Sequence, residues 1–170
     1  MGRVSVKENK NRYQLAREAL ALSREKGSEL LGCVSADRIE KIENERCLPQ
    51  PEEVLIMADK YRQPDLCNYY CSRQCPIGLG QVPEIHMKEL SGIVLEMLAS
   101  LNSVNKKRDR LIEIAADGKI DSDEIGDFVR IQEELEDIAA AVDTLQLWSK
   151  KMLADGIIDE QEYNARRSAR

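Results

Sequence analysis

The sequence predicts an all-α protein, a set of short helices followed by a long antiparallel helical hairpin that is coiled-coil-like in its periodicity. Three observations predict it. Apolar residues make up 42% of the 170 residues and charged residues 33%, with one Phe and one Trp. That balance suits helices rich in Leu, Ile, Glu and Lys. The first half carries Ser, Gly and Pro where helices start and stop. The second half repeats apolar residues alternately three and four apart. The expected organisation is a disordered N-terminus over 1–10, a helical domain over 11–75, a linker over 76–83 and the hairpin over 84–170.

The first helix is expected over 13–22, with Leu15, Ala19 and Leu22 on its inner face. Ser23 caps a second, Arg24–Leu31, which Gly32 closes. Ser35 caps a third over 36–44, with Ile39 and Ile42 pointing inward. Pro49 and Pro51 break the chain, and Pro51 opens a fourth helix that buries Val54, Met57, Ala58 and Tyr61. Pro64 starts a fifth through Leu66, Tyr70 and Cys71. The stretch "CPIGLGQVP" holds two Gly and two Pro and reads as the linker.

In the second half Met87, Leu90, Val94, Met97, Leu101, Val104 and Leu111, then Ala115, trace a 3.5-residue repeat, with Arg108 filling one vacancy. A helix over 84–116 would be ~50 Å long at ~1.5 Å per residue. The pattern resumes at Ile125, Phe128 and Ile131 and continues through Leu135, Ile138, Val142, Leu145, Trp148 and Met152. The second helix can therefore fold back on the first. Two helices alone bury one stripe each, so the seam calls for a further surface. A second copy of the chain is the expected partner, giving a homodimer; the preceding domain is the alternative.

Two strings, "ADGKIDSDE" and "ADGIIDEQE", resemble the second half of an EF-hand loop. Loop positions 1 and 3 hold Glu113 and Ala115 in one copy, Lys151 and Leu153 in the other, which removes much of the oxygen cage calcium needs. Both strings fit a helix stop and restart instead. Gly118 and Gly156 take the left-handed conformation, and Asp121 with Glu124, then Asp159 with Glu162, form capping boxes.

Cys67, Cys71 and Cys75 lie four apart and would share one face of an uninterrupted helix. Three such thiolates could bind zinc or an iron–sulfur cluster with a fourth ligand. The spacing is not that of zinc ribbons, and the sole histidine, His86, lies past the linker. The expected roles are therefore structural: Cys67 and Cys71 as small core residues, Cys75 at a helix end before Pro76. No cofactor or metal is implied. No Ser or Cys nucleophile has a plausible base and no glycine-rich loop follows a strand, so no enzyme is expected. The polar start lacks a signal-peptide core, and Val6 occupies the position where a myristoylation motif needs Ser or Thr. With no run of 18 apolar residues, a cytoplasmic chain without a membrane span is expected.

Charge separates the halves. Residues 1–80 carry 13 Lys/Arg and 12 Asp/Glu, residues 81–170 carry 12 and 19. Phosphate attraction dominates nucleic-acid affinity, so only the first half is a plausible nucleic-acid surface.

The first 66 residues resemble the lambda-repressor-like (Xre-type) helix-turn-helix family. The likeness rests on Leu22-Ser23, Gly32, Val34-Ser35 and "RIEKIENERCLPQPEEVLIMADKY", with Ile39, Ile42, Glu43-Asn44, Pro49 and the helix from Pro51. The resemblance implies a five-helix domain and a transcription regulator that binds double-stranded DNA. Its third helix would lie in the major groove and its second across the backbone. It implies Ser35, Ala36, Asp37 and Arg38 at base-facing positions, Lys41, Asn44 and Arg46 near phosphates, and Arg24 also serving a phosphate. Three departures stand out. One extra residue, Cys33 or Val34, lengthens the turn before the third helix; Gly27 stands where the family buries an apolar side chain; Glu40 puts a carboxylate outward. Glu43 is expected to lie to the side. Two other readings stay open: a protein-interaction module that keeps this fold, with the acidic helices as a partner surface, or a thiol- or metal-sensing regulator using Cys67, Cys71 and Cys75.

Overall fold

The structure is a computed structural model that describes residues 9–169. Residues 1–8 of the expected disordered N-terminus lie outside the described residues. Within the rest of that segment, Lys10 pairs with Glu18 at 2.7 Å. Among the described residues every regular element is a helix and no strand occurs. In chain order they are α1 (Arg12–Ala19), α2 (Arg24–Leu31), α3 (Ala36–Glu43), α4 (Pro51–Lys60), α5 (Asp65–Arg73), α6 (Leu90–Lys106), α7 (Arg108–Ala115), α8 (Ile125–Ala154) and α9 (Glu160–Ser168). None of these is long and apolar enough to cross a membrane.

The chain divides into two compact units: residues up to Glu84 together with those from Ser149 onward, and Ile85–Trp148. The boundary differs from the expected one at both ends. The Gly- and Pro-rich stretch 76–83 is built into the first unit. A Cβ on Gly78 would stand 2.1 Å from the Cys71 carbonyl oxygen, so only glycine allows this approach. The Gly78 and Leu79 amides donate to the Cys75 carbonyl at 3.0 and 2.9 Å, and Asn68 Nδ2 donates to the Pro83 carbonyl at 2.9 Å. Arg73 pairs with Glu84. The end of α8 and α9 also belong to the first unit, where Lys151 Nζ donates to the Arg62 carbonyl at 3.0 Å.

The core of the first unit gathers Tyr13 and Ala16 from α1, Leu31 and Val34 around the end of α2, Ile39 and Ile42 from α3, and Val54, Met57, Ala58, Tyr61 and Leu66 from α4 and α5. Capping fixes where these helices begin. The side chains of Asn11, Ser23 and Ser35 accept from the amides three residues on, at 3.0, 3.3 and 3.2 Å. Gln50 and Glu53 form a capping box, with Pro51 at the first helical position.

Helix α1 differs from its sequence reading. It ends at Ala19, Ala21 turns to φ 54°, and Leu15 and Ala19 are exposed, while Tyr13, Gln14, Ala16 and Arg17 face inward. Two polar attachments fix this roll. Tyr13 packs edge-on against Tyr69 at 5.8 Å and its hydroxyl donates to Gln74 at 2.8 Å, while Arg17 is drawn to a carboxylate inside.

In the second unit α6 starts at Leu90 rather than at 84, so Met87 precedes it and is exposed. The expected continuous helix also breaks at Lys107, with φ −103° and ψ 5°. Asn102, Ser103 and Asn105 form helix weakly just before the break, and Glu134 of α8 attracts both the Lys107 amine and the Ser103 hydroxyl, the latter at 2.7 Å. The inward stripe runs through Ile93, Ile114, Ile131 and Ala141. Val94, Met97, Val104, Leu111, Ile138 and Leu145 are half-buried, whereas Leu90, Leu101, Leu135 and Val142 are exposed. Both helices are thus rolled part of a turn from the phase that the heptads suggest, toward the flank where Arg110 meets Asp127 at 2.9 Å and Lys107 meets Glu134. Gly118 and Gly156 have φ of 72° and 73°. Glu124 accepts from the Asp121 amide at 3.2 Å and Asp159 from the Glu162 amide at 2.7 Å.

Candidate nucleic-acid interface

Helices α2 and α3 are joined by the four residues Gly32 to Ser35. Gly32 ends α2 at φ 73° with open space around it. In this turn Cys33 is exposed, while Val34 is buried in the core. Cys33 thus turns outward, and Val34 anchors the start of α3.

The back of α3 is apolar with one exception. Ile39 and Ile42 are buried, and so is Glu43, which the sequence reading placed to the side. Positions 39, 42 and 43 share one face of a helix, so Glu43 points inward with the isoleucines. Its carboxylate accepts from Arg17 Nε at 2.6 Å, from Arg17 Nη2 at 2.9 Å and from Arg24 Nε at 2.9 Å. Arg17 also donates to the Leu22 carbonyl. Burial works against the Arg17 charge, but the bonds to Glu43 outweigh it and hold its pKa above the ordinary value. The neighbouring Tyr61 hydroxyl is buried and its pKa is pushed up to about 12, by burial first and the Glu43 charge second. Gly27 faces this cluster: a Cβ there would meet Arg17 Cδ at 3.0 Å and the Tyr61 hydroxyl at 3.2 Å. The arginine stem fills the space beside Gly27.

The open side of α3 carries Ser35, Ala36, Asp37, Glu40, Lys41 and Asn44. Asp37 and Lys41, both well exposed, pair at 2.7 Å one turn apart. The bond to Asp37 holds the Lys41 pKa above its ordinary value. Arg46 lies 3.8 Å from Glu40, and Asn44 Nδ2 donates to Glu40 at 3.3 Å. Ser35 Oγ is engaged with the Arg38 amide.

Arg38 differs from its expected place among the base-facing residues. Its guanidinium turns to α4, where Nε and Nη2 each meet Glu53 at 2.8 Å, Nη2 donates to the Leu48 carbonyl at 3.0 Å and Nη1 donates to Cys47 Sγ at 2.9 Å. The fork satisfies a carboxylate bidentately, the geometry guanidinium favours. The bond to Arg38 holds the Glu53 carboxyl below the usual carboxylate range. Arg24 is likewise committed inward, to Glu43. Sequence reasoning missed both partners, although the Gln50–Glu53 capping box was a signal that Glu53 turns back toward the loop after α3.

Cys67 and Cys71 on α5, and Cys75 beyond its end, are half-buried free thiols. Burial pushes the Cys67 thiol pKa up. Among the described residues no group of three His, Cys, Asp or Glu is placed to hold a metal ion. Cys67 borders a cleft of about 460 Å³ together with Ala58, Arg62, Lys150 and Leu153. No protein-family model, curated protein or solved structure matches the chain.

Proposed function

We propose that the chain is a sequence-specific double-stranded DNA-binding regulator that uses α2 and α3 as a helix-turn-helix, α3 entering the major groove. The observation that supports this best is the orientation of α3: Ile39, Ile42 and Glu43 tie its back into the core and leave Ser35, Ala36, Asp37, Lys41 and Asn44 outward. On this reading Asp37 accepts from a cytosine amino group near the helix start, and Lys41, Asn44 and Arg46 approach phosphates. Arg38 acts as a positioning residue that fixes α3 against α4, and Arg24 does so through Glu43. Lys41 and Arg46 must exchange their acidic partners for phosphate. Exposed pairs contribute only ~0–1 kcal/mol each, so the exchange costs little. Affinity through phosphates alone is correspondingly low, and base contacts in paired half-sites supply the rest.

The test compares variants against one duplex. Lys41→Ala weakens binding by about tenfold, the cost of one phosphate contact, while Asp37→Asn strengthens non-specific binding and relaxes sequence preference. Equal affinity for both variants and the parent contradicts the reading. A second reading, a protein-interaction module on the same fold, is favoured by one observation: Arg24, Arg38, Lys41 and Arg46 each face an acid. A folded chain that binds no duplex at ~50 mM salt, where phosphate attraction is strong, supports it.

A further inference from the structure

The cleft bordered by Cys67 plays no part in the DNA reading. It lies where the turn from α4 to α5 meets the end of α8 and the start of α9, and all of its lining belongs to the first unit. Its volume of about 460 Å³ falls within the ~300–1,000 Å³ of small-molecule sites. Two bonds set its walls. Lys151 Nζ donates to the Arg62 carbonyl at 3.0 Å, which joins α8 to the corner between α4 and α5. Ser149 Oγ donates to the Tyr163 hydroxyl at 3.4 Å, which joins α8 to α9. The walls are thus fixed within the single chain, so a ligand entering between them bears little ordering cost.

The lining says what such a ligand is. The floor is apolar, with Ala58 buried and Leu153 and Ala154 half-buried. The charged residues are Arg62 and Lys150 against Asp59 and Glu160. Asp59 is already paired with Lys60 at 3.1 Å. Arg17, Arg38, Arg73 and Lys151 of the same unit each have an acid within 4 Å, whereas Arg62 and Lys150 form no ion pair among the described residues. Burial pushes the Cys67 thiol pKa up and the Lys150 charge works against it, which places that ammonium toward the cleft. Two free cations against one free acid, Glu160, leave a cationic cleft in a chain whose net charge is −6. That balance matches a single negative charge on the ligand. An inorganic anion would leave the apolar floor uncovered, and a neutral apolar molecule would leave both cations unused.

We propose that this cleft binds a small carboxylate with an apolar body, its head held by Arg62 and Lys150 and its chain laid on Ala58, Leu153 and Ala154. A guanidinium offers a carboxylate two parallel bonds, and the ammonium adds a point charge beside it. Cys67, at the edge of the cleft, is covered when the ligand is in place. The site stands apart from the DNA reading, because binding is measured on the chain alone.

Titration calorimetry of the full chain with octanoate, octanamide and inorganic phosphate decides it, together with iodoacetamide labelling of each cysteine read by peptide mass. Octanoate binds with a dissociation constant below ~1 mM, and the neutral amide and phosphate bind about tenfold more weakly or not at all. Arg62→Gln with Lys150→Gln, both exposed in the parent, keeps the helical circular dichroism and weakens octanoate by about tenfold, as for lost charge-assisted bonds. Should that variant lose helicity, Lys150→Gln alone weakens octanoate by roughly threefold or more. Saturating octanoate slows the labelling of Cys67 and leaves that of Cys33 unchanged. No octanoate binding at ~10 mM, octanamide as tight as octanoate, a folded variant that binds like the parent, or Cys67 labelled as fast with octanoate bound overturns the proposal.

Discussion

Arg17 of α1 and Glu43 of α3 form a two-point ion pair inside the protein, Nε to Oε1 at 2.6 Å and Nη2 to Oε2 at 2.9 Å, with side chains only 6% and 1% exposed. Arg24 of α2 completes it from a partly exposed position. The direction in which α3 points thus depends on charges supplied by both preceding helices. Removing one member of a buried pair strands the other, which typically costs ~3–5 kcal/mol. Glu43→Ala is expected to lose that much in urea denaturation. Arg24→Ala costs about 1 kcal/mol, as for a single partly exposed bond, because Arg17 keeps Glu43 partnered.

The Arg38–Glu53 bond makes stability depend on pH. Its carboxyl titrates below the ordinary 4.5 in the folded chain. The unfolded chain therefore binds this proton first. The contribution is fully present above the ordinary carboxylate range and is lost as pH falls through the lower folded value. A melting series from pH 7 to pH 3 shows a steeper acid decline in the parent than in Arg38→Ala, whose curve starts lower and falls less. Parallel curves contradict the assignment.

Two glycines reverse the usual expectation for helix-compatible substitution. Gly27 lies within α2, where Ala would ordinarily add ~1 kcal/mol. Its Cβ would press on Arg17, which Glu43 holds in place. Gly27→Ala is therefore expected to gain nothing or to lose stability. Gly78→Ala places a methyl 2.1 Å from a carbonyl oxygen and forces 75–84 off α5, with a loss of ~1–3 kcal/mol for overpacking. Amide hydrogen exchange across that segment shows the release directly.

Thiol chemistry ranks the cysteines. Cys33 is exposed, whereas Cys67 is half-buried with its pKa raised by burial, which leaves less thiolate at pH 8. Titration with a chromogenic disulfide is expected to modify Cys33 first and Cys67 much later. Equal rates contradict the packing of α5.

Much of the first unit was legible because its signals are local. Ser23, Gly32, Ser35 and Pro51 mark helix ends through their own backbone chemistry, and Ile39, Ile42, Val54 and Met57 show which faces turn in. What the sequence hid depends on distant partners. Arg17 reads as a surface residue until Glu43, 26 positions on, is folded beside it. Arg38 reads as a base contact until Glu53 claims its guanidinium. In α6 the period was legible and the phase was not. Leu90, Val94 and Leu101 offer one apolar row and Ile93, Met97 and Val104 another, and only Glu134 and Asp127 across the pair decide between them.

The proposal that α3 reads DNA is tested most directly by selection of bound duplexes from a random double-stranded pool, at ~50 and then ~150 mM salt. The account predicts enrichment of a motif that survives the higher salt, as two inverted half-sites about one helical turn apart, and its loss in Lys41→Ala. Folded protein that enriches no motif at either salt would contradict it.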